Sequence, residues 1–164
     1  MRILWIPFAL AIVIVSAAGC GKAKNVPHNI SVFAVRPGQC FVAPTSVKAQ
    51  LSTLKVTPCS KPHTQEAYAV VKYEAPGGGS SLSSTGIALG SSYPGGDVLT
   101  TFAQGVCAQR YGPYVGVDYL DSKLFFTYLL PSARSWTQAD DRNVICFVTT
   151  TGATLTSSVK GSKL

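Results

Sequence analysis

The chain has 164 residues, 46% of them hydrophobic and 13% charged, with a formal net charge of +7. That is one domain's worth of sequence with enough apolar content to bury a core. Its lysines and arginines are scattered from Arg2 to Lys163 without a run, so the charge describes a basic surface and excludes nucleic acid as an expected partner.

The first element is a leader. Arg2 precedes the apolar run Ile12-Val13-Ile14-Val15, and the small residues Ser16 to Gly19 lead to Cys20. A positive start, an apolar stretch and a small-residue end form a secretory signal. Ala17-Ala18-Gly19-Cys20 resembles the lipobox of bacterial lipoproteins. The resemblance implies cleavage before Cys20, a diacylglycerol on its thiol, and a domain held on the extracytoplasmic face of the cell membrane. That lipid carries at least two acyl chains, enough for stable anchoring. A spanning helix is the competing reading, but Ile3–Ala18 falls short of the ~20 residues it needs, and Pro7 interrupts it. An ordinary cleaved signal would leave Cys20 as a free thiol. Residues 1–19 are therefore read as signal and 20–35 as a polar tether containing Pro27, with a span of roughly 20 Å. Residues 36–164 are read as the folded domain.

Arg36-Pro37-Gly38-Gln39 is turn chemistry, followed by a short strand at Cys40-Phe41-Val42. Thr53 to Thr57 alternates and predicts its hairpin partner. Glu66 to Tyr73 predicts another strand. Ala75 to Ser92, with Pro76-Gly77-Gly78-Gly79, predicts a loop. Asp97 is the expected N-cap of the main helix, with Val98, Leu99, Phe102, Ala103, Val106 and Cys107 as its buried face and Gly112-Pro113 as its stop. Lys123 to Leu130 predicts a strand ending at Pro131. Ser135 to Arg142 reads as a polar turn around Trp136. Asn143 to Thr150 is a short, continuous apolar strand suited to a central position. Thr151 to Leu164 is small and polar and is expected to trail along the surface. The fold class is α+β: a small antiparallel or mixed sheet with one main helix packed on it.

Besides Cys20 there are Cys40, Cys59, Cys107 and Cys146. An even set in an exported domain predicts two disulfides, and three pairings are possible. The element reading favours Cys40–Cys59 across the hairpin and Cys107–Cys146 from helix to core strand. The spacings are too wide for a zinc site, so neither metal nor cofactor is expected.

In order, Pro37-Gly38-Gln39-Cys40-Phe41, Val56 to Glu66 with Pro62-His63-Thr64-Gln65-Glu66, Tyr93-Pro94-Gly95, Trp136 and Asp141-Arg142-Asn143-Val144-Ile145-Cys146 form a set. Over residues 36 to 162 that set resembles the septum-formation-related domain of actinobacterial membrane proteins and lipoproteins. The resemblance implies a link to the cell envelope or division and no established reaction.

The candidate site residues are His63, Glu66, Trp136 and Arg142. His63 as a general base oriented by Glu66 would make an envelope hydrolase. That reading needs a nucleophile, and no G-x-S-x-G is present. The alternative is a loop histidine bonded to a backbone carbonyl near the Cys40–Cys59 bridge. Asp140 and Asp141 are adjacent and would diverge on a strand, unlike a glycosidase pair. Trp136 and Arg142 could offer a flat surface and a donor fork to a ligand. The preferred reading has Trp136 covering the sheet edge, with Arg142 pairing with Asp140 or fixing loop carbonyls. The function expected is a non-catalytic interaction domain for an envelope or division protein or a cell-wall polymer.

Overall fold

A computed structural model describes residues 26–44, 46, 51–75 and 92–164. The leader, Cys20, the first part of the tether and most of the Ala75–Ser92 loop lie outside the described residues. Six strands form one antiparallel sheet: β1 His28–Ser31, β2 Cys40–Val42, β3 Thr53–Thr57, β4 Gln65–Lys72, β5 Phe125–Leu129 and β6 Asn143–Thr149. Their order is β1-β3-β2-β4-β6-β5, and helix α1, Gly96–Val115, packs on one face. The α+β class with one main helix and two disulfides is as expected. The expected hairpin is β2–β3, with Cys40 opposite Thr57.

β6 explains the two-faced core. Val144, Cys146 and Val148 join the helix-side cluster, while Ile145 and Phe147 join the cluster on the opposite face. A strand sandwiched between β4 and β5 and covered on both faces needs an unbroken apolar run. On β4, Ala67 faces Phe147 and Ala69 faces Cys146, leaving Tyr68 as the extra residue of a bulge. The bulge brings Tyr68 and Ala69 into the helix-side cluster together, and the Tyr68 hydroxyl donates to the Cys107 carbonyl at 2.8 Å.

The helix departs from its expected limits. Gly95, with φ 98°, occupies the N-cap, and Asp97 sits in the first turn, where its charge suits the helix dipole. Pro113 lies inside the last turn instead of ending it. Val115, beyond the expected stop, is fully buried like Tyr111 before it, so packing outweighs the hydrogen bond that proline removes. The turn closes at Gly116, in the left-handed region at φ 92°, whose N–H donates to Gly112 O at 2.8 Å. The buried stripe is Leu99, Ala103, Cys107, Tyr111 and Val115, at four-residue spacing. Val98, expected inside, is exposed.

Two further expectations are corrected. The tether ends earlier than 35, because His28–Ser31 pairs with β3 and the 3-10 turn Val32–Ala34 buries Val32 in the cluster on the face opposite α1. The stretch expected as a polar turn from Ser135 to Arg142 begins inside a helix, α2, Ala133–Gln138, capped by reciprocal Ser132 and Ser135 bonds.

Both disulfides have the expected pairing, with sequence separations of 19 for Cys40–Cys59 and 39 for Cys107–Cys146. By loop entropy they contribute about 3 and about 4 kcal/mol. The double replacement Cys107→Ala/Cys146→Ala should therefore lower the denaturant midpoint more than Cys40→Ala/Cys59→Ala. The reverse order in chemical unfolding would contradict this assignment.

Candidate functional site

Glu66 lies on β4, opposite Val148 of β6 and Cys40 of β2, with no exposed surface. A carboxylate there needs donors. Its Oε1 accepts from the Tyr114 hydroxyl at 2.5 Å and the Ser158 hydroxyl at 2.6 Å. Its Oε2 accepts from the Val159 N–H at 2.8 Å. Tyr114 comes from the last turn of α1, and Ser158 and Val159 come from the segment after β6. One carboxylate thus joins sheet, helix and final segment. That segment does not trail along the surface as expected. Leu155 exchanges backbone bonds with His63, Gly161 donates to Tyr114 O, Lys163 donates to Val115 O, and Val159 is buried in the core.

His63 is 1% exposed. Its Nδ1 lies 2.8 Å from Lys61 O, so Nδ1 carries the hydrogen that donates to that carbonyl. Nε2 is enclosed without a hydrogen-bond partner among the described residues. The structure brings His63 and Glu66 close in sequence but not into a pair, since their hydrogen bonds go to different groups. Cys40 Sγ, Cys59 Sγ and a Glu66 oxygen lie within 4.8 Å of one another. The two sulfurs are bonded to each other and offer no thiolate to a metal.

Trp136 and Arg142 come together as a clamp. Trp136 is 1% exposed and packs against Tyr73 and Tyr93, with ring centroids at 5.9 and 5.6 Å. The Arg142 guanidinium stacks over the indole at 3.8 Å. Its Nη1 donates to Trp136 O at 2.8 Å and to Asp141 O at 3.1 Å, and its Nη2 pairs with Asp140 at 2.9 Å. A planar fork does all of this at once, which a lysine could not. Asp141 in turn accepts from the Ser135 hydroxyl and the Asn143 N–H. These bonds hold α2 at the end of β6.

What α2 borders is a groove of about 410 Å³ on the sheet face away from α1. Val70, Leu129 and Ile145 from β4, β5 and β6 supply apolar lining, as do Val32, Val35 and Leu51 from the segments around the 3-10 turn. Arg134, Gln138 and Asn143 add polar groups. Arg134 is exposed, and its side chain has no ion-pair or hydrogen-bond partner among the described residues. An apolar cleft of this size with a few polar groups is the usual form of a ligand site.

Residues 35–162 match the family described as septum formation. The chain belongs to the septum formation family. No curated protein and no solved structure matches it.

Within this septum formation domain, the four singled-out residues are placed in the interior or at a clamp, and the groove residues were not anticipated. Val70, Leu129 and Ile145 read as ordinary strand residues, and only their shared face makes them a floor. The available signal was Arg134 beside a Ser-x-x-Ser box, which marks a helix start.

The buried phenols make the fold sensitive to alkali. Burial is the largest cause pushing Tyr68, Tyr111 and Tyr114 above the ordinary 10.0. Interaction with Tyr111 adds to this at Tyr68, and the hydrogen bond to Glu66 and its charge add to it at Tyr114. At Tyr111 the Ser122 hydrogen bond opposes the shift. Each phenol holds its proton more tightly folded than unfolded. The stability this contributes is complete below about pH 10 and is lost as pH rises through the higher folded values. Alkaline titration should show these phenolates appearing together with loss of helical circular dichroism. Ionisation of all 7 tyrosines with the helix intact would contradict it.

Proposed function

We propose that this septum formation protein is a lipid-anchored, extracytoplasmic binding module without catalytic function. Its groove would hold an envelope or division protein or a cell-wall polymer. The observation that carries the reading is the apolar groove with Arg134 at its margin, whose side chain has no partner among the described residues. The buried carboxylate of Glu66 is occupied by the Tyr114 and Ser158 hydroxyls, and together they hold the fold. Two disulfides favour an oxidising compartment, and Ala17 to Cys20 supplies the anchor.

A photo-crosslinking residue at Gln138, beside the groove, should capture a partner in intact cells. One at Gln104, exposed on α1, should not. Arg134→Glu should abolish the Gln138 adduct and leave thermal stability within about 0.5 kcal/mol, since the side chain is exposed. Equal capture from both positions, or capture indifferent to Arg134→Glu, would contradict the groove assignment.

The anchor is tested separately. Cys20→Ala should move the chain out of the membrane fraction or leave it unprocessed. Release of the wild-type chain by a high-salt wash would contradict lipid anchoring, because salt screens charge and leaves acyl burial intact.

A further inference from the structure

The two edges of the sheet are built differently. β1 is short, and its exposed residues include His28 and Asn29, which are poor templates for pairing. β5, at the other edge, reads Phe-Phe-Thr-Tyr-Leu. It carries no charge, no proline and no bulge, the devices that normally guard an edge. One side of β5 pairs with β6 through all five residues. No backbone bond from its other side reaches any described residue outside the ladder. Phe125, at its start, is 52% exposed.

We infer that β5 is a self-pairing edge, through which two copies of this chain join antiparallel about Thr127. The register follows from the sequence of the strand itself. Centring the axis on Thr127 sets Phe125 against the second copy's residue 129, a leucine, and Phe126 against its residue 128, a tyrosine. Aromatic–aliphatic and aromatic–aromatic cross-strand pairs of this kind stabilise sheets. One step beyond, leucine meets leucine at 124 and 130. Lys123 then meets the proline at 131, so the register places no like charges opposite each other. Either phase of the backbone ladder keeps this symmetry, because the axis falls on a residue pair in both. The arrangement is isologous and therefore closes at two copies. It covers Phe125 and continues the open sheet face, with its Leu129, Ile145 and Val70 lining, across both molecules. Five residues a side make a small interface, so the dimer should dissociate on dilution.

Cysteine scanning of the full chain in membranes tests the register. Thr127→Cys places two thiols on the axis and should give a disulfide-linked dimer under mild oxidation, above the background of the unsubstituted chain. Phe125→Cys places its thiols four residues apart along the paired strands and should stay at background. Equal crosslinking at both positions, or none at Thr127→Cys, would overturn the proposal. Charge supplies a second readout that does not depend on oxidation. Thr127→Lys and Thr127→Glu should each sediment as monomers, and mixing the two should restore a dimer. A dimer that persists in either variant alone, or a mixture that stays monomeric while the unsubstituted chain dimerises, would equally overturn it.

Discussion

A carboxylate with no exposed surface must find donors, and in this protein the donors of Glu66 come from three separate parts of the chain. The Tyr114 hydroxyl, the Ser158 hydroxyl and the Val159 N–H converge on two oxygens of one strand residue. That requirement explains features that are otherwise odd. The helix carries on past Pro113 because its next residue must reach Glu66 and the following Val115 must fill the core. The small, polar final segment is ordered because its backbone supplies a donor and Val159 seals the site. Hydrogen bonds to a charged group are among the stronger ones a fold can use, and leaving such a charge unpartnered costs more still.

The rest of the molecule divides its labour around that point. Cys107–Cys146 locks α1 to β6 on the helix side, and Cys40–Cys59 closes the first hairpin. The stack of Arg142 on Trp136 fixes α2 by a planar cation that also satisfies two carbonyls. With the helix side filled by aromatic rings and the bulged Tyr68, the sheet keeps one face partly open. The groove on that face is built from residues whose neighbours are fully committed to structure. A rigid floor and a margin held by side-chain bonds make a pre-formed site, which lowers the entropy lost on binding.

Local chemistry was legible and long-range assembly was not. The hairpin, β4 and β6 follow from alternation and β-branched content, and both disulfides follow from placing cysteines on those elements. β1 was hidden because His-Asn-Ile-Ser carries one apolar residue and pairs mainly through its backbone with β3. α2 was hidden because its capping box ends in Ser135 instead of the usual Glu or Gln. The helix runs past Gly112-Pro113 because the burial of Val115 and the bond from Tyr114 to Glu66 outweigh proline's local penalty, and neither is visible locally. Glu66 was singled out by its place in Pro-His-Thr-Gln-Glu, but its partners lie 48 and 92 residues away, beyond any local pattern. The groove is a property of one sheet face and has no linear signature at all.

The central claim is that Glu66 holds the helix end and the final segment to the sheet. Glu66→Gln tests it at single-atom cost, since the amide keeps one acceptor but turns a donor toward the Val159 N–H. Native-state hydrogen exchange of the Val159, Gly161 and Lys163 amides, read alongside denaturant unfolding, is the direct measurement. In Glu66→Gln these amides should lose protection together, and global stability should fall by about 2–4 kcal/mol. Unchanged protection at Val159, with a stability loss below about 0.5 kcal/mol, would contradict it.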